Sequence, residues 1–149
     1  MKVPPGSNRG PEVDQYLRCA GVPPPDFWCC AFVYWCFYEA AKMLGRANPM
    51  VKTAHCLTHW EKASTKRAKL IPTKDAVDNP AMIYPGMILI IDHGEDKGHT
   101  GLVEKLEGAL ITTIEGNTNA SKNREGIGVF RLTRKVVDIN TGFIDYSGL

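Results

Sequence analysis

The sequence predicts an α+β fold in which N-terminal helices precede a C-terminal antiparallel sheet. Two observations carry this. Residues 8–62 read as helices around a nearly all-apolar stretch, and after Pro80 short β-rich runs alternate with turn residues. Helices first and strands after, with close turns between the strands, give segregated layers. Neither an internal repeat nor a low-complexity tract interrupts the chain.

Asn8-Arg9-Gly10-Pro11-Glu12 starts a helix, with Pro11 in the first turn, and Gly21 ends it after about Ala20. Val22-Pro23-Pro24-Pro25-Asp26 is a stiff internal connection. From Phe27 to Leu44 the pattern is helical and almost wholly apolar through Tyr38, so this is the buried central helix. Asp26 is its expected cap and Gly45 its stop. A third helix is expected over Lys52–Lys62, and the polar, lysine-rich stretch 63–79 reads as an exposed loop or short irregular segment. Strands are expected at 87–91, 100–104, 109–114, 128–132 and 142–146.

The 149 residues suit one domain spanning 1–149, and 44% hydrophobic with 23% charged residues is an ordinary globular balance. A formal charge of +2 lacks the dense basic face of a nucleic-acid binder, so no nucleic-acid partner is expected. Phe27–Tyr38 is too short to span a bilayer, so no membrane association is expected either. The Met1-Lys2-Val3-Pro4-Pro5-Gly6 start has no apolar signal-peptide stretch, so synthesis in the cytoplasm is expected. The five cysteines at 19, 29, 30, 36 and 56 leave one over under any pairing and form no CxxC, so reduced thiols are expected.

A cysteine nucleophile needs its thiolate, and a helix start favours that form. Cys29 and Cys30 fall in the first turn of the central helix, rotated from one another by roughly 100°, so only one faces a cleft squarely. Cys19, Cys36 and Cys56 read as small buried hydrophobes. For the base, His99 stands between glycines in Lys97-Gly98-His99-Thr100-Gly101, at the mouth of a strand, where backbone and substrate come close to the ring. His93 reads as a turn residue. His55 and His59 share a helix face at metal-ligand spacing, but no acid stands between them as in HExxH, so no metal and no cofactor are expected. Ile114-Glu115-Gly116-Asn117-Thr118-Asn119 closes a strand with a carboxylate and two amides suited to orienting an imidazole, although Glu-Gly-Asn is also ordinary turn chemistry.

Together Asn8-Arg9-Gly10-Pro11, Trp28-Cys29-Cys30-Ala31-Phe32-Val33, Gly98-His99-Thr100-Gly101 and Glu115-Gly116-Asn117-Thr118-Asn119 resemble the CHAP family, the cysteine, histidine-dependent amidohydrolases/peptidases of the papain-like NlpC-type superfamily. The resemblance runs from about residue 8 to 132. It implies a papain-like core, with Cys29 as nucleophile and Cys30 a packing neighbour. His99 becomes the base, Glu115 its orienter, Asn117 a fourth member supporting the histidine or substrate, and Trp28 a substrate contact. The Cys29 N–H would join the oxyanion hole. Pro85-Gly86-Met87 departs from the family's usual Pro-Gly-Asp at a structural position.

The resemblance further implies an amide-cleaving peptidoglycan hydrolase, acting through an acyl-enzyme on the glycan–stem-peptide bond or within the peptide. Bacterial wall peptidoglycan is the expected partner, reached by a phage lysin at lysis or by an antibacterial toxin through a secretion system. A toxin would bring an immunity protein. Alternatives are a papain-like protease, deamidase or acyltransferase acting on proteins, a non-catalytic wall-binding module, and a metal site at His55, Cys56 and His59. Activity is expected to rise on a histidine-like pKa.

Overall fold

The computed structural model describes residues 8–118 and 128–148. Helices α1 (Pro11–Cys19), α2 (Cys29–Met43) and α3 (Cys56–Ala63) come first. Strand β1 (Lys69–Pro72) and short helix α4 (Thr73–Asp78) follow, then β2 (Ile88–Gly94), β3 (Lys97–Glu107), β4 (Leu110–Thr118), β5 (Gly128–Lys135) and β6 (Gly142–Asp145). The strands form one six-stranded sheet in the order β1-β6-β2-β3-β4-β5, antiparallel at every pairing. This is the α+β class that the sequence predicts.

The apolar run in β2 is continuous because the sheet is covered on both faces. Side chains alternate across a strand, and here the two phases feed separate cores. Ile88 and Ile90 join α1, α2 and α3 on one face. Leu89 and Ile91 join Ile111, Val136, Ile139 and Phe143 on the other. Met87 belongs to that second core, so the residue that departs from Pro-Gly-Asp is a packing residue.

Helix α2 is buried from Cys29 through Tyr34 and packs on α1, β3 and β4. Its start corrects the sequence reading. Asp26 Oδ1 accepts the neighbouring Phe27 N–H at 2.7 Å, a local bond that competes with capping, and the helix begins two residues later at Cys29. Its end is as expected. Gly45 takes φ +66°, and Arg46 N–H donates to the Ala41 carbonyl at 3.0 Å, closing a Schellman turn.

Two further readings are corrected. The third helix begins at Cys56 rather than Lys52, because Thr53 Oγ1 accepts the His55 N–H at 3.1 Å and His55 Nδ1 caps the Thr58 N–H at 3.2 Å. The stretch 63–79 is structured. After a left-handed turn at Arg67 it supplies edge strand β1, paired with β6, and then α4. With only Ile71 and Ala76 of these two elements buried, its apolar signal is faint. No helix among the described residues is long and apolar enough to cross a membrane.

Candidate active site

β3 and β4 are neighbours with Leu102 opposite Ile114, which puts Glu115 across from Gly101 and diagonal to His99. Missing side chains make that approach feasible. A Cβ on Gly101 would collide with Glu115 Cγ. One on Gly98 would lie 3.0 Å from both Cys56 Cβ and Leu57 Cδ2. The glycines flanking His99 therefore admit the backbone and side-chain approach of Glu115 and α3.

His99 lies inside β3 rather than at its mouth, and its Nε2 is 2.7 Å from Glu115 Oε1 in the buried interior. Thr113 Oγ1 donates to Glu115 Oε2 at 2.6 Å. Arg134, on β5, donates from Nε to Oε2 at 2.6 Å and from Nη2 to Oε1 at 2.7 Å. Burial alone would raise the Glu115 pKa, but Arg134 and His99 outweigh it and hold the carboxyl at about 2. A charged Glu115 makes Nε2 a donor and leaves Nδ1 as the ring's other working atom. Burial would lower the His99 pKa, yet contact with Cys29 and Glu115 raises it to about 9.

Cys29 opens α2 and is 1% exposed. His99 Nδ1 makes no hydrogen bond of standard geometry, but the thiol and the ring are close enough to shift each other's titration. The Cys56 thiol, with Sγ 3.5 Å from Cys29 Sγ, raises the Cys29 pKa, burial adds to this, and His99 opposes both. Cys30 is turned elsewhere and donates to the Thr53 carbonyl at 3.5 Å. Of the two adjacent cysteines, Cys29 is the one brought to the imidazole.

Other expected residues fall differently. Asn117 is buried beside a bulge in the β4–β5 pairing with φ 54°, and among the described residues neither end of its amide bonds to His99 or to any other group. Asn119 lies outside the described residues. Trp28, the expected substrate contact, is 4% exposed and stacks on Tyr16 with centroids 5.8 Å apart, packed in the core next to Cys29. A Cβ on Gly116 would lie 2.9 Å from both Trp28 and Phe32, which seats β4 directly on the start of α2. His55 and His59 diverge: His55 Nε2 is 3.2 Å from the Asp96 carbonyl, whereas His59 Nε2 is 2.8 Å from Tyr146 Oη. Cys19 and Cys36 are only partly buried, and none of the five cysteines is in a disulfide.

Sequence reasoning missed three neighbours. Arg134 follows Phe130 and Leu132 at strand spacing, so extending β5 would have placed it on their face. His93 is exposed, with its ring centroid 6.5 Å from that of His99. Cys56 was read as simple core. A cavity of about 270 Å³ adjoins the site, lined by Phe27, Thr53, His55, Cys56, Lys97 and Gly98 among others.

A helix-start thiol, an imidazole and a buried carboxylate thus stand in sequence on an α+β scaffold. Residues 21–117 match the family model for the CHAP domain, well over half of the chain, and the chain belongs to that family. CHAP domains are typically cysteine/histidine-dependent amidohydrolases or peptidases, and membership points in general to hydrolase or amidase-type chemistry on peptidoglycan. Comparison with curated proteins and with solved structures returned no match.

Proposed function

We propose that this protein is a peptidoglycan hydrolase that cleaves an amide bond through Cys29, either between glycan and stem peptide or within the peptide. Residues 1–149 form one catalytic domain with a papain-like core, serving as a phage lysin or an antibacterial toxin effector that acts at the wall or in the periplasm. In the toxin setting an immunity protein is its partner. The observation that carries the reading is the buried 2.7 Å contact between His99 Nε2 and Glu115 Oε1, with Cys29 beside the same ring.

The chemistry follows from that order. His99 takes the Cys29 proton through Nδ1, and the thiolate attacks the amide carbonyl carbon. Helix-start N–H groups lack partners within the helix, so the Cys29 N–H is placed to hold the tetrahedral oxyanion. Collapse breaks the C–N bond as His99 returns the proton to the leaving nitrogen. Water, activated by the same ring, then cleaves the thioester and frees Cys29. Glu115 stays ionised throughout and steadies the imidazolium. The unbonded amide of Asn117 supports a role in holding substrate or the ring once the site is filled.

Digestion of purified sacculi, with the soluble products read by mass spectrometry, tests this. Released muropeptides support the reading, and their masses separate amidase from endopeptidase. Intact walls across several chemotypes, together with turnover of a protein amide, would move the substrate to protein.

A further inference from the structure

The proposed reaction uses one sulfur, yet two stand together. Cys29 is the first residue of α2 and Cys56 the first of α3, and their Sγ atoms are 3.5 Å apart in the buried interior. Cys56 is held there from behind, because Gly98 packs so closely that even a Cβ at that position would lie 3.0 Å from Cys56 Cβ. Cys56 also lines the cavity beside the site, with Phe27 and Lys97. A small oxidant entering the cavity meets Cys56 first.

We propose that Cys29 and Cys56 form a reversible disulfide that switches the nucleophile off, with a peroxide as the oxidant. This deepens the function proposed above, since its effect on activity rests on Cys29 being the nucleophile. The Cys56 sulfur attacks one peroxide oxygen, the O–O bond breaks, and the products are a sulfenic acid and water. The Cys29 sulfur then attacks the Cys56 sulfur and expels the hydroxyl as a second water. Two thiols lose two electrons and two protons in all, and hydrogen peroxide is reduced to two waters. Closing the pair from 3.5 Å to a bond of about 2.05 Å requires the sulfurs to approach by roughly 1.5 Å. An external thiol restores both by exchange.

The test treats the full chain with hydrogen peroxide, blocks remaining thiols with iodoacetamide and maps peptides without reduction. The expected result is an intact mass two hydrogens lower before blocking and a cross-linked peptide pair containing Cys29 and Cys56, with fragment ions excluding Cys30. Cys29 alkylation and wall digestion are lost together, and both return after dithiothreitol. In Cys56→Ala the link is absent, and sustained peroxide carries Cys29 past its thiol-reducible sulfenic acid to the sulfinic acid, so that inactivation is no longer recovered by dithiothreitol. The wild-type mapping decides the link even if that variant does not fold. Oxidation of Cys29 to its sulfinic acid with Cys56 intact, a link to another cysteine, or a complete Cys29–Cys56 link that leaves wall digestion unchanged would overturn the proposal. If the untreated protein leaves every wall intact, the function reading fails, while mass and alkylation still decide the disulfide.

Discussion

Arg134 grips both oxygens of Glu115, Nε on Oε2 at 2.6 Å and Nη2 on Oε1 at 2.7 Å, from the strand next to the one that carries the carboxylate. Two parallel charge-assisted bonds fix the plane of the carboxylate as well as its charge. Glu115 in turn orients His99. Arg134 is thus a positioning residue at one remove from the reacting atoms, and its side chain is only 10% exposed.

Arg134→Gln leaves a buried carboxylate with half its support. The expected cost is about 3–5 kcal/mol of stability, read by urea denaturation. A looser His99 should lower kcat more than it raises KM, and the pH profile should shift because Glu115 no longer sits near 2. Arg134→Lys should recover charge but not the two-point grip, giving partial rescue. A folded Arg134→Gln with an unchanged pH profile would remove Arg134 from the site.

The pH dependence of activity should differ from that of an ordinary histidine. The ring titrates near 9 instead of 6.5, and the Cys29 thiol is pushed up by Cys56 and burial. The coupled pair gives up its proton late. We expect kcat/KM to climb through neutral pH with a midpoint near 9, and Cys56→Ala to move the alkylation of Cys29 toward lower pH. A midpoint near 6.5 would contradict the coupling of His99 to Cys29 and Glu115.

Stability should fall on both sides of neutrality, for reasons of opposite sign. His59 is buried with its pKa lowered from 6.5 to about 4, so its contribution is full above pH 6.5 and is lost as pH falls through 4. Glu115, lowered from 4.5 to about 2, adds a second loss below pH 4.5. His99, raised from 6.5 to about 9, contributes fully below pH 6.5 and loses that as pH rises through 9. His59 alone accounts for about 3 kcal/mol by the size of its shift. Denaturant titrations at stepped pH should show a maximum near 6.5, and His59→Gln should flatten the decline between 6.5 and 4. An equally steep decline in that variant would place the acid sensitivity elsewhere.

Gly101→Ala should break the relay without touching a polar group. The added methyl would collide with Glu115 Cγ and lie 3.1 Å from the Ile114 carbonyl oxygen. Overpacking of this kind costs about 1–3 kcal/mol. Activity should drop far more than thermal stability, since the displaced group orients His99. Comparable activity in wild type and variant would show that Glu115 tolerates displacement.

Much of this architecture is legible in the residues. Helical periodicity and Gly45 define α2, and β-branched runs mark β2 to β6. Glycines bracket the histidine, and a carboxylate closes a strand. Less legible was whatever depends on one local bond or on contacts distant in sequence. Asp26 looks like a cap but bonds Phe27, and Thr53 defers the start of α3 by four residues. Strand β1 has only Ile71 buried, too little apolar signal to stand out. Arg134 and Cys56 reach the site through strand pairing and helix packing, which no short motif encodes. The packing of Trp28 between Tyr16 and Gly116 likewise depends on contacts distant in sequence.

The most direct test of the central claim compares Cys29→Ala with Cys30→Ala on purified sacculi. Cys29 lies beside His99, whereas Cys30 is bonded to the Thr53 carbonyl. Cys29→Ala should release no soluble fragments, and Cys30→Ala nearly the wild-type amount. Full release by Cys29→Ala, with none by a folded Cys30→Ala, would show that the nucleophile is the neighbouring sulfur.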